Sequence, residues 1–177
     1  MKLRIFPIVA AAVVSALLLF GGWYVYQQMA LKDPLHKIVM QYDGVKSAHF
    51  DINQNTVSLK LDLKPGTDLR GLIQHLKDDG QSLIGGKKLR IDVEDHSNEV
   101  LDKWWSEALF PIAEAMENKK YTEITNTLDK LGRNTPGLQA TAELDDTNVY
   151  ISLTDGTASK FIILPRAGQK MGVWNNA

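Results

Sequence analysis

The sequence contains no cysteine. That excludes disulfides, zinc–thiolate sites, iron–sulfur clusters, thiol nucleophiles and a cysteine-linked lipid anchor. It leaves the redox compartment open, because a chain without cysteine suits any of them. No acid precedes Asp33, and no charge of either sign falls between Arg4 and Lys32. A basic excess is missing too. Lys2 and Arg4 are two of 20 basic residues, so the chain beyond them carries 18 against 21 acidic residues. That balance is not the electrostatic footprint of a nucleic-acid binder, and no nucleic-acid partner is expected. With 44% hydrophobic and 23% charged residues, disorder and low complexity are poor readings.

Catalytic signatures are absent as well. There is no HExxH, no GxSxG and no SxxK with a plausible partner set. The four histidines, His36, His49, His75 and His96, include no i, i+4 pair on a helix, and each reads as a surface residue. The glycines and lysines of "LIGGKK" (83–88) lead into a strand, whereas a phosphate loop opens a helix. No catalytic residue, metal or cofactor is expected, and the chain reads as non-enzymatic. The densest polar cluster is "DVEDHSNE", in which Asp92, Glu94, Asp95 and Glu99 are candidate calcium ligands. The plainer reading is a strand end, a turn and a helix N-terminus, all of which favour acids.

What is present begins with an apolar run, Ile5 to Tyr26. Twenty-two helical residues rise roughly 33 Å, enough for a ~30 Å hydrocarbon core. Pro7 falls in the first turn, where its missing N–H costs little. Trp23, Tyr24 and Tyr26 stand where an aromatic membrane-interface belt belongs. A cleaved signal peptide has a shorter core and small residues before the cut; here Gln28 would occupy the −3 position before a cut after Ala30. The run therefore reads as an uncleaved anchor over 5–26. Residues 1–4 would be cytoplasmic, since Lys2 and Arg4 favour that side, and the remainder extracytoplasmic. Residues 27–32 read as a connector.

From 33 to 95 the periodicity predicts α-β-β-α-β. In "DPLHKIVMQYDG", Asp33 caps a helix, Pro34 is its first residue, and Leu35, Ile38, Val39 and Tyr42 share a face up to Gly44. "SAHFDI" and "TVSLKLDLK" alternate as strands. Thr67 caps a second helix striped by Leu69, Leu72, Ile73 and Leu76 and stopped by Gly80, and "KLRIDVE" is a third strand. Both helices should cover one face of a three-stranded sheet. The usual split arrangement predicts strand order 2-1-3.

The segment "GVKSAHFDINQNTVSLKL…LRGLIQHLKDDG" is similar in rhythm to the heavy-metal-associated domain. Without that family's Cys-x-x-Cys loop, its metal function does not carry over. The α-β-β-α-β order directly after an anchor also resembles the ring-building motif. That motif occurs in extracytoplasmic rings of secretion systems and in the stage III sporulation channel of spore-forming bacteria. The resemblance covers about 60 residues, by topology and hydrophobic rhythm. It implies a cell-envelope assembly role.

From 96 to 165 the pattern predicts two helices and three strands. "HSNEVLDKWWSEALFPIAEAMENKK" carries the stripe Leu101, Trp105, Ala108, Ile112 and Met116, widened by Val100, Trp104, Leu109 and Ala115. Pro111 predicts a kink or break near Phe110. This helix is long and apolar enough to pack across both sheets and fuse the modules into one core, so one composite domain and two small ones both stay open. "YTEITNTLDKLG" is a second helix, and "LQATAEL", "NVYISL" and "KFIIL" form an antiparallel meander. Residues 166–177 read as a tail, docked through Trp174. Trp104 and Trp105 are the candidate partner-binding residues if they are not both core.

The whole reads as an α+β protein with an N-terminal transmembrane helix. It would be single-pass, non-enzymatic and engaged in protein interaction or assembly at the membrane, with other envelope proteins or itself as partner. The alternative is an extracytoplasmic ligand or ion sensor.

Overall fold

The computed structural model describes residues 5–166, without the side chains of residues 5–8, 10 and 23–29. Helix α1 is Ile5–Gln27. It passes without a break into a five-residue π turn, Gln28–Lys32, and then into α2, Asp33–Met40. Asp33 is therefore not a cap. Lys32 before it already has helical angles (φ −69°, ψ −48°), and the expected connector is itself helical. The run of described α1 side chains, 11–22, rises only about 18 Å. Among the described residues no helix is long and apolar enough to cross a membrane. The side chains of Trp23, Tyr24 and Tyr26, and the whole of the tail with Trp174, lie outside the described residues.

The first sheet holds β1 (Val45–Ile52), β2 (Thr56–Leu63) and β3 (Lys88–Val93). The order is β1-β2-β3, which corrects the expected 2-1-3. β1 runs antiparallel and β3 parallel to β2. The reason lies in side-chain supply. β2 alone turns four large apolar residues, Val57, Leu59, Leu61 and Leu63, into full burial. It takes the centre, where a strand is covered along its whole length. β1 buries Val45, Phe50 and Ile52 around a half-buried Ala48, one large side chain fewer than β2, and the apolar residues of β3 stay half-buried, so both suit edges.

Helix α3, Leu69–Ile84, crosses between β2 and β3. Its cap is Asp68, which accepts from the Gly71 N–H; Thr67 instead donates to the Lys64 carbonyl. Gly80 does not stop the helix. It is buried where a Cβ would sit 3.2 Å from Leu35 Cδ2, so the missing side chain lets α2 and α3 approach. The stripes of α2 and α3 and the apolar strand faces form one cluster, as expected of helices sharing one side of the sheet.

The second module follows its expectation closely. It contains α4 (Glu99–Glu117), α5 (Tyr121–Gly132), β4 (Leu138–Leu144), β5 (Asn148–Asp155) and β6 (Ala158–Pro165). The strands form an antiparallel meander, β4-β5-β6. α4 starts at Asn98, whose side chain accepts from the Leu101 N–H at 2.8 Å. It does not break at Pro111, which lies inside a continuous helix. Pro111 and Glu107 are both exposed, so water reaches the carbonyl that proline leaves without a donor.

The modules join differently from expectation. The core cluster of α4 draws every member from 101–164, with none from the first sheet. It is β5 and β6 that reach across: Tyr150 is buried in the first module's cluster, with Phe161 and Ile163 packed against it. The second sheet is thus apolar on both faces, one toward α4 and α5, the other toward the first module, where α3 meets β5.

Candidate functional site

The side chains that sequence reading singled out do not gather. Asp92 and Glu94 stand two apart on β3 and its end, on the polar face of the first sheet, and Glu94 pairs with Lys60 at 3.5 Å. Asp95 turns the other way. It accepts from Lys160 and, at 2.9 Å, from the Ser97 N–H. Glu99 is exposed in the first turn of α4. Among the described residues no group of three His, Asp or Glu side chains is placed to hold a metal ion.

Asp62, His96 and Ser159 are the residue types of a hydrolytic triad, and the chain brings them close. Asp62 Oδ1 lies 2.8 Å from His96 Nε2, and the Ser159 N–H donates to the His96 carbonyl at 3.1 Å. Yet the Ser159 hydroxyl is buried without a hydrogen-bond partner, so no base holds it and no substrate reaches it. The contact is a tie between modules. Lys46 completes it, 3.3 Å from the same Asp62 oxygen. Burial acts to raise the Asp62 carboxyl, but hydrogen bonds from His96 and Lys46 outweigh it and hold the group below the usual carboxylate range.

Two further polar ties cross the same junction. Lys160 sits at core parity on β6, with Ile162 and Leu164, and is 9% exposed. Burial alone would lower its ammonium, but Asp95 and, at 3.1 Å, Asp102 at the start of α4 raise it. At the other end, Asp145 in the β4–β5 turn collects the Thr147 and Asn148 N–H groups, each at 2.7 Å. Lys77 of α3 reaches it at 3.0 Å. Burial opposes the Asp145 charge, yet these donors push the carboxyl far below its ordinary range. Sequence reading missed all three ties. One was visible: a lysine on the apolar parity of a strand needs an anion at its ammonium.

Compared with family models, curated proteins and solved structures, the chain matches none.

A groove of about 280 Å³ between α4 and α5 is open and ringed by Glu114, Glu123 and Lys120, with no convergent set of acid, base and nucleophile. Trp104 is 4% exposed, its indole N–H is buried without a partner, and it packs in the second core. Trp105 packs half-buried beside that core. The aromatic that α4 presents to solvent is instead Phe110, 79% exposed. It lies on an outer row with Val100, Lys103, Glu107 and Glu114, all exposed. On the first module the outer edge of β3 is open: β3 is an end strand whose one partner in the sheet is β2.

Proposed function

We propose that the chain is a single-pass, membrane-anchored protein whose α+β part faces out of the cytoplasm and serves in assembly with itself or other envelope proteins, without chemistry of its own. The observation that carries this reading is continuity. The helix that begins in the uncharged run continues through the π turn into α2, whose Leu35 and Val39 are fully buried in the first core. A helix so rooted holds the first module close to whatever surface receives α1. The α-β-β-α-β element order, similar to the ring-building motif, supports the same reading; the strand order β1-β2-β3 confines that support to element order. The exposed Phe110 and the open edge of β3 supply surface for partners. The sensor reading gains no support from the acidic turn, whose carboxylates face different ways.

The test uses the full chain in its native membrane. The expected result is retention in the membrane pellet after alkaline carbonate, cleavage of the folded part by protease only from the outer side, and migration above monomer mass in mild detergent. Release by carbonate, or a mature N-terminus near Leu31, removes the anchor and the reading with it.

A further inference from the structure

The polar and apolar residues of β3 are arranged symmetrically about its middle. From Lys88 to Glu94 the strand and its last neighbour read Lys-Leu-Arg-Ile-Asp-Val-Glu. Turned end for end about Ile91, the stretch maps each basic residue onto an acidic one. Lys88 faces Glu94, and Arg90 faces Asp92. Leu89 faces Val93, and Ile91 faces itself. We infer that the open edge of β3 pairs antiparallel with the same edge of a second copy, making one continuous six-stranded sheet. This deepens the assembly reading and rests on it.

Three features of the structure agree with this pairing. The first is hydrogen-bond direction. The N–H groups of Lys88 and Glu94 donate inward, to the Asn55 and Leu61 carbonyls on the β2 side. Backbone groups alternate along a strand, so Leu89, Ile91 and Val93 turn theirs to the open edge. A two-fold axis at Ile91 then makes 89–93, 91–91 and 93–89 the hydrogen-bonded pairs. It leaves Arg90 opposite Asp92 in the closer, non-hydrogen-bonded positions, where side chains meet best.

The second feature is unspent charge. Arg90 and Asp92 are exposed, and within the chain Lys88, Arg90 and Asp92 take part in no salt bridge among the described residues. The third is incomplete burial. Leu89, Ile91 and Val93 point to the core side yet stay half-exposed at the sheet border, whereas their β2 neighbours are fully buried. A second copy would cover them. The other end strand of this sheet has no such symmetry: about His49, β1 sets Ser47 against Asp51 and His49 against itself.

A pairing of two seven-residue stretches buries less than the ~1,200 Å² of a stable interface in solution. Confinement of both copies to one membrane raises their effective concentration and makes up the difference.

The experiment places full-length chains in lipid vesicles. The absence of native cysteine makes disulfide trapping clean. Chains carrying Arg90→Cys are mixed with differently tagged chains carrying Asp92→Cys. Opposed positions in a non-hydrogen-bonded pair have Cα atoms about 4.5 Å apart, within disulfide reach. Positions 90 and 90, or 92 and 92, are diagonal and lie roughly 8 Å apart, beyond that reach. The expected result is a cross-linked dimer in the mixture and little with either variant alone. A second measurement follows association of labelled chains by energy transfer. Arg90→Asp or Asp92→Arg should each lower dimerisation roughly tenfold, and both together in one chain should restore it. All three are surface changes, and circular dichroism checks that folding is kept. Equal cross-linking in all three samples, or no rescue by the double exchange, overturns the β3 pairing. If the unaltered chains still associate in that case, assembly stands and uses another surface. If they do not associate at all, the β3 pairing is excluded and assembly is left to other proteins.

Discussion

Tyr150 donates its hydroxyl hydrogen to Asp145 at 2.8 Å, and the ring below that hydroxyl is buried in the core of the other module. One side chain thus fastens a turn to its own sheet and the sheet to its neighbour. Removing the hydroxyl alone, Tyr150→Phe, should keep the packing and lose a charge-assisted hydrogen bond, costing about 1.5–3 kcal/mol in urea unfolding followed by tryptophan fluorescence.

The same pair sets a pH dependence at both ends of the scale. Asp145 is held below its ordinary range in the fold, so its stabilisation is full above the unfolded carboxylate value, near 3.9, and is lost as pH falls below it. Asp145→Asn should flatten the acid limb of a stability–pH profile. Burial first, then the hydrogen bond to Asp145 and its charge, push Tyr150 up to about 12, although Asn148 donates to it. Its contribution is present below the unfolded value near 10 and disappears as pH rises through about 12. In an ultraviolet titration of the folded chain, Tyr150→Phe should remove a phenol that ionises near 12.

Lys160 should show the asymmetry of buried ion pairs. Asp95→Asn with Asp102→Asn leaves its ammonium without a counter-charge, and because both acids are solvent-exposed the expected loss is about 1–3 kcal/mol. Lys160→Met removes the charge itself and keeps the volume, and should cost much less. Denaturant midpoints for the two variants at neutral pH decide it, and equal losses would contradict the account.

On α4 the aromatic side chains should separate by role. Trp104→Ala opens a cavity in the second core and should cost about 3–5 kcal/mol. Phe110→Ser should change stability by no more than about 0.5 kcal/mol, because the ring touches mainly solvent. Any effect of Phe110→Ser on assembly in mild detergent would then report a partner contact.

Gly44 precedes β1 with φ +92°, and a Cβ there would collide with the Thr67 side chain. Gly44→Ala should therefore destabilise by at least about 1–2 kcal/mol from the backbone alone. Pairing it with Thr67→Ser should recover little of the loss, since serine keeps the hydroxyl oxygen that a Cβ would approach at 2.2 Å and leaves the backbone angle unchanged.

Strand and helix spans were legible wherever the apolar period was clean, as in Val57 to Leu63 or Ile124 to Leu131. They failed at points decided by contacts distant in sequence. Gly80 has the look of a helix stop, and only the approach of Leu35 explains why the helix runs on to Ile84. Pro111 has the look of a break, and its exposure explains why there is none. Strand order depended on comparing three apolar faces for completeness, which local alternation does not rank. The ties through Asp62, Asp145 and Lys160 join residues 34 to 68 positions apart, beyond the reach of any local pattern.

The π turn at Gln28–Lys32 makes the helix a phased shaft. Each residue added or removed there rotates everything beyond it by about 100° and shifts it by about 1.5 Å. A seven-residue insertion would lift the first module about 10.5 Å along the shaft and turn it only about 20°. A one-residue deletion would leave its height almost unchanged and swing β3 to a different compass bearing. Two copies whose sheet edges must meet in a plane are sensitive to bearing more than to height.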